Sequence, residues 1–100
     1  IDNNKQESLA KTDEILSIEC LEKKIGGMRI SVERINGHKI EILIKEINNF
    51  LNDSKPLKNP RVLICDTVKG KGVSFMEKVP MWHHRKLKEN EYLQALKELS

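Results

Sequence analysis

The sequence predicts an α/β fold: a partial parallel sheet with helical crossovers. Two observations carry this. Strand-like and helix-spaced apolar patterns alternate from end to end, and RVLICDT, Arg61 to Thr67, is a continuous apolar run between polar flanks. Such a run suits a strand covered on both faces. Taken in order, the elements read strand end, helix, strand, helix, strand, long loop, helix, which implies parallel strands joined by crossovers.

Ile1-Asp2-Asn3-Asn4-Lys5 is an apolar residue running into polar turn formers, with no initiator Met. It reads as the last step of a strand and its exit loop, so the expectation is that sequence is missing upstream. Between Asp13 and Lys24 a first helix is expected, because Ile15, Leu16, Ile18, Leu21 and Ile25 recur at helical spacings, with Thr12 or Asp13 as N-cap and Gly26-Gly27 as the stop. RISVERI alternates Ile30, Val32 and Ile35 with polar residues as a short strand does, and Asn36-Gly37-His38 supplies a turn. Ile40, Leu43, Ile44, Ile47, Phe50 and Leu51 form a helical stripe, and Pro56 and Pro60 bracket the exit. A last helix from about Glu89 carries Tyr92, Leu93, Leu96 and Leu99 on one face. No internal repeat or low-complexity tract interrupts this order.

Composition narrows the function classes. Lys and Arg number 18 against 15 Asp and Glu, interspersed, with one Trp, one Tyr and two Phe. That is an ordinary solvated surface without the basic and aromatic interleaving of RNA readers, so no nucleic-acid partner is expected. No apolar run approaches the roughly 20 residues of a membrane helix, and no signal core follows a charged start; a cytoplasmic protein is expected. Cys20 and Cys65, far apart in sequence, read as reduced, buried core residues.

In open parallel sheets ligands sit beyond the carboxyl ends of the strands. Three segments are expected at that rim: Asn3 to Gln6, Asn36 to His38, and Thr67 to His84. Lys69-Gly70-Lys71-Gly72 lets backbone approach a ligand and sets lysines beside it, although a short Gly-Lys turn is more often a plain loop. His83 and His84 can serve as acid, base or hydrogen-bond donor, or stand as an exposed pair; no Cys or carboxylate lies at a familiar zinc spacing. His38, after Asn-Gly, reads as a turn residue. The Asn4 amide oxygen can join a hard divalent cation or simply form a turn, and Trp82 can shield a polar site or cover core.

In combination and in order, INGHKIEILIKEI, TVKGKGVSFMEKVPMWH and YLQALKEL resemble the thiamine-diphosphate-binding N-terminal part of transketolases, most closely the small N-terminal subunit of split bacterial transketolases. The resemblance runs back through LEKK to DNNK and so covers residues 1–100 as the carboxyl-terminal portion of that domain. It implies that Asn4, with the backbone carbonyl of Gln6, binds Mg²⁺ or Ca²⁺, that Lys69 and Gly70 touch thiamine diphosphate, and that His83 reaches the catalytic cavity. The implied reaction moves a two-carbon ketol unit from a ketose phosphate to an aldose phosphate.

Departures from the pattern are equally specific. Gly-Asp-Gly and the upstream histidines of the family do not occur, and its catalytic Glu comes from a pyrimidine domain on other sequence. Asn36-Gly37-His38-Lys39 stands for Asp-Gly-His-Asp, Arg29-Ile30 for Gly-Trp, His84 for a Gly, and Gln6 follows Lys5 with one residue fewer. The expectation is therefore a component of a hetero-oligomer, active with other chains that bring Gly-Asp-Gly and the pyrimidine domain. The alternatives are a non-catalytic structural or interaction subunit, or a relative resembling deoxyxylulose-phosphate synthase.

Overall fold

The computed structural model describes residues 1–8, 10–18, 20–52 and 59–100. Its elements are strand β1 (Asp2–Asn3), helices α1 (Thr12–Ile15) and α2 (Leu21–Gly26), strand β2 (Ser31–Asn36), helix α3 (Ile40–Leu51), strand β3 (Arg61–Asp66), a 3₁₀ turn (Pro80–His83) and helix α4 (Glu89–Leu99). They fall into two compact units. One comprises Ile1–Asn3 with Ile18–Thr67, the other Asn4–Ser17 with Val68–Ser100.

The first unit is the α/β sheet that the apolar pattern predicts. Its strands run parallel in the order β1-β3-β2, so the apolar run Arg61–Asp66 is central. Ser31 pairs with Arg61 and Asn36 with Asp66 on one side, and Asn3 pairs with Asp66 on the other. All three strands therefore end level. Edge bonds extend the ladder: the Ile1 amino group donates to the Leu63 carbonyl at 2.7 Å and the Cys65 N–H to the Ile1 carbonyl at 2.8 Å. Helices α2 and α3 both pack on β2. Burial is concentrated at Ile64, fully inaccessible, and Ile25; the other β3 residues are only half-buried, less covered than a continuous apolar run suggests.

At the carboxyl end of the sheet one carboxylate gathers three elements. Arg34 lies opposite Ile64, so the next same-face position on β3 is Asp66. Its guanidinium spans that diagonal as a fork, Nε to Oδ2 at 2.6 Å and Nη2 to Oδ1 at 2.8 Å. Nη1 reaches Glu22 on α2 at 2.7 Å, and Asn3 of β1 donates through Nδ2 to Asp66 Oδ1 at 2.6 Å. The Thr67 hydroxyl donates to the Asp2 carboxylate beside it. The hydrogen bond from Arg34 holds the Glu22 carboxyl below the usual carboxylate range, and the two acids raise the pKa of Arg34.

The expected turn after β2 is present. Asn36 Oδ1 accepts from the His38 N–H at 2.9 Å and its carbonyl from Lys39 N–H, starting α3. Gly37 is required there by space, because a Cβ would stand 2.6 Å from Thr67 Cγ2 and 2.9 Å from Cys65 Cβ. Helix α3 has the predicted span, but its stripe is split. Leu43 and Phe50 are half-buried with Glu46 between them, whereas Ile40, Ile44, Ile47 and Leu51 are exposed. Arg61 lies over the Phe50 ring, 5.6 Å from its centroid. Pro56, expected in the exit loop, lies outside the described residues; Pro60 directly precedes β3 and its carbonyl accepts from Ser31 N–H.

Three expectations are corrected. The single helix over Asp13–Lys24 is two short helices, with Leu16 extended and Cys20 left-handed at φ 56°. At 100° per residue Ile18, Leu21 and Ile25 share one face while Leu16 points to the opposite one; Ile25 is buried, Ile18 and Leu21 are half-buried, and Leu16 is exposed. Neither Thr12 nor Asp13 is the N-cap; Lys11 is, and both lie inside the first turn. Cys20 is exposed rather than core, and Cys65 half-buried; both are free thiols. Among the described residues no helix is long and apolar enough to cross a membrane.

Two outcomes follow from this packing. Gly37→Ala, which forces the new methyl against Thr67 and Cys65, should cost about 1–3 kcal/mol, read as a lower urea midpoint at unchanged m. Because the folded state depresses the Glu22 pKa, its contribution to stability is present above the unfolded value of about 4.3 and disappears as pH falls through the folded value. Arg34→Gln should flatten that part of a stability-versus-pH curve; an unaltered curve would remove the ion pair from the account.

Candidate functional site

Each residue singled out for cofactor, metal or catalysis belongs to the second unit: Asn4, Gln6, Lys69, Gly70 and His83. His38, the turn residue, belongs to the first.

Local bonds tie the described residues of the next segment, Asn4 to Ser8 and Ala10 to Thr12, to one another. Asn4 Oδ1 accepts from the Gln6 N–H at 2.9 Å, the side-chain turn its residue type favours, and Lys5 between them adopts φ 62°. Gln6 bridges Lys11 in antiparallel fashion, and Thr12, buried, donates its N–H to the Lys5 carbonyl at 3.1 Å. One atom is left over: Gln6 Oε1 is buried with no hydrogen-bond partner among the described residues. An orphaned buried acceptor calls for a donor or a cation.

The loop after β3 closes on itself. Val73 N–H donates to the Gly70 carbonyl, Met76 and Glu77 N–H to the Val73 carbonyl, and Lys78 N–H back to the Lys69 carbonyl at 3.1 Å. Val73 is buried at the centre of these bonds. Gly70 makes the closure possible. It sits at φ +77°, and a Cβ there would fall 2.6 Å from the Met76 carbonyl oxygen, so no side chain fits. Carboxylates fasten the loop from outside. Glu77 accepts from Gly72 N–H at 3.2 Å, with Lys71 at 3.4 Å. Glu98, on α4, accepts from the Ser74 N–H at 2.5 Å and hydroxyl at 2.8 Å. Those backbone donors hold both acids below the usual carboxylate range.

Trp82 fixes the far arm. Its Nε1–H donates to the Phe75 carbonyl at 3.0 Å, and its ring meets that of Phe75 edge-on, centroids 5.4 Å apart. Arg85 covers the indole at 4.5 Å and pairs with Glu91 at 2.5 Å. The 3₁₀ turn Pro80–His83 then delivers His83 to Lys69. Lys69 Nζ stands 2.9 Å from His83 Nδ1, across 14 residues of sequence. His84 is exposed, its N–H donating to the Met81 carbonyl.

The structure thus joins Lys69 to His83 and Asn4 to Gln6. Sequence reasoning named these residues but not the first pairing. It missed Glu77 and Glu98, whose only signal was an acid in a loop and an acid near a helix end, where the macrodipole disfavours it. Among the described residues no cluster of three His, Cys, Asp or Glu is arranged to hold a metal. What the segment does offer is oxygen: the Asn4 amide, bonded to Gln6 N–H, and Gln6 Oε1, which has no partner among the described residues. Such donors suit a hard cation.

No family model matches the chain. Individual proteins do. It is 33% identical over all 100 residues to an apulose-4-phosphate transketolase subunit from Phocaeicola vulgatus and 34% identical over 98 residues to the protein of that name from Actinobacillus succinogenes. In each case it spans 34% of the relative's length. A 1-deoxy-D-xylulose-5-phosphate synthase from Treponema pallidum is 44% identical over 50 residues, half of this chain and 7% of that enzyme. With whole-chain likeness to proteins named as transketolase subunits, and the parallel sheet and Lys-Gly-Lys-Gly loop in place, the chain belongs to the transketolase family.

Proposed function

We propose that the chain is the carboxyl-terminal part of the thiamine-diphosphate-binding portion of a split transketolase-like enzyme. The reaction is transfer of a two-carbon ketol unit from a ketose phosphate to an aldose phosphate. The observation that carries this reading is the Lys69–His83 pair, held by a loop that only glycine at position 70 allows to close. The relatives are named as subunits of transketolases, which supports the same class and implies further chains.

In this reading each residue has a defined task. The Asn4 amide oxygen and the Gln6 carbonyl hold Mg²⁺ or Ca²⁺, which the oxygen donors of this segment fit, and the orphaned Gln6 Oε1 accounts for a second acceptor facing a donor or cation. Lys69 and the Gly70 backbone approach the cofactor, and His83 contacts the sugar. When bound, thiamine diphosphate supplies the nucleophilic carbon and the electron sink. Gly-Asp-Gly, the pyrimidine domain and its glutamate lie outside these 100 residues, and the naming of the relatives as subunits supports a hetero-oligomer in the cytoplasm as the working form.

A second reading is favoured by a specific observation. Five apolar residues of α3 lie exposed, and so do four of α4, each helix by itself presenting an apolar face of the kind that partners cover. On this reading the chain only assembles others. The deoxyxylulose-phosphate-synthase-like alternative differs in product alone, so product analysis separates it.

In the reconstituted assembly, His83→Ala should lower ketol transfer by about 10²- to 10⁴-fold without altering subunit stoichiometry; full turnover would remove His83 from the reaction. Asn4→Ala should abolish Mg²⁺-dependent gain of thiamine diphosphate mass in native mass spectrometry. A complex that forms normally and never takes up cofactor, in wild type or variant, is the result of the purely structural reading.

A further inference from the structure

Resting on the function proposed for this loop, we infer that Lys69 is a positioning residue for His83: its ammonium donates to Nδ1 and fixes the ring with its proton on Nε2. His83 then presents a hydrogen-bond donor, not a base, to an acceptor oxygen of the ligand.

Donor and acceptor inventory dictates the tautomer. Nζ and Nδ1 stand 2.9 Å apart. A lysine ammonium has three donors and no acceptor, so Nδ1 must contribute a lone pair. A neutral imidazole whose Nδ1 accepts carries its proton on Nε2. That nitrogen can only donate. Together with the remaining Nζ protons the pair offers donors alone, which selects for a ligand rich in acceptor oxygens, such as a sugar hydroxyl or carbonyl, or a phosphate.

The pairing is built by backbone closure. Lys69 is held from behind by its carbonyl, which accepts from Lys78 N–H, while Gly70 packs against the Met76 backbone. His83 is held by the 3₁₀ turn and by Trp82, which is tied to the Phe75 carbonyl and covered by Arg85. Both partners therefore arrive on short arms from one closed loop. The imidazole's orientation is set by that frame as well as by the bond itself, which is what a positioning contact requires.

The test has two arms. The chain is labelled with ¹⁵N-histidine and reconstituted with its unlabelled partner chains, so only the rings of His38, His83 and His84 report; His83 is assigned by loss of its signals in His83→Gln. The expected result is the Nε2–H tautomer alone in wild type and in Lys69→Arg, with a measurable Nδ1–H population appearing in Lys69→Met. A proton on Nδ1 in wild type, or a tautomer ratio indifferent to Lys69→Met, overturns the inference. In the second arm ketol transfer is measured at saturating cofactor. Lys69→Met should lower kcat, and the Lys69→Met/His83→Gln double variant should be no slower than His83→Gln alone. Additive losses overturn the positioning role and leave Lys69 as a cofactor contact only. If no variant or wild-type assembly transfers a ketol unit, the proposed reaction falls, and the tautomer arm still decides the Lys69–His83 pair.

Discussion

The central strand Arg61–Asp66 is the constraint on which the first unit depends, because its parallel pairing with β2 and β1 brings Asn36, Asp66 and Asn3 level at one end. Parallel ladders leave their carboxyl-end groups for side chains and loops to satisfy. Here the Asp66 carbonyl takes the Gly37 N–H at 2.8 Å, and the Asp66 carboxylate takes Arg34 and Asn3. That carboxylate meets charge-assisted donors from both neighbouring strands. The side chains of Arg34, Asp66 and Glu22 keep between 35% and 42% exposure, so solvent screens them and the network acts more through geometry than through net energy.

Polar burial elsewhere has the same character. Asn3 is 4% exposed: its Nδ2 is bonded to Asp66 and its Oδ1 has no partner among the described residues. Glu46 lies on the covered side of α3 with Asn49 donating to it at 3.1 Å, at the point where a helix of this apolar content would ordinarily place a hydrophobe. The apolar stripe is thereby displaced around the helix. Ile40, Ile44, Ile47 and Leu51 remain in solvent, as do Tyr92, Leu93, Leu96 and Leu99 on α4. With Ile25, Ile64, Val73 and Ala95 as the buried apolar residues among those described, the interior is small for the number of apolar side chains. The chain spans 34% of the length of the transketolase subunits it matches.

The loop from Val68 to His83 solves a different problem, that of holding two polar side chains at bonding distance on little hydrophobic support. Its means are a buried valine, successive backbone bonds around it, and carboxylates that cap exposed N–H groups from outside. Backbone bonds of this kind fix position without a large core.

How much of this was legible depended on how far apart the deciding residues lie. The sequence by itself determined the parallel α/β class, the spans of β2, α3, β3 and α4, the Asn36-Gly37 turn and the family, because each rests on local periodicity, turn chemistry or a contiguous motif. It also named Asn4, Gln6, Lys69, Gly70 and His83, through resemblance rather than spacing. Strand register and the space around single atoms settled the rest. The tertiary structure broke the expected first helix at Leu16 and Cys20, leaving Ile25 buried and Leu16 exposed. It put Arg34 on Asp66, a contact 32 residues long that exists only once strand register is set. It brought Lys69 to His83 because Gly70 has no Cβ to hold it away from Met76, a condition of space that no linear pattern encodes.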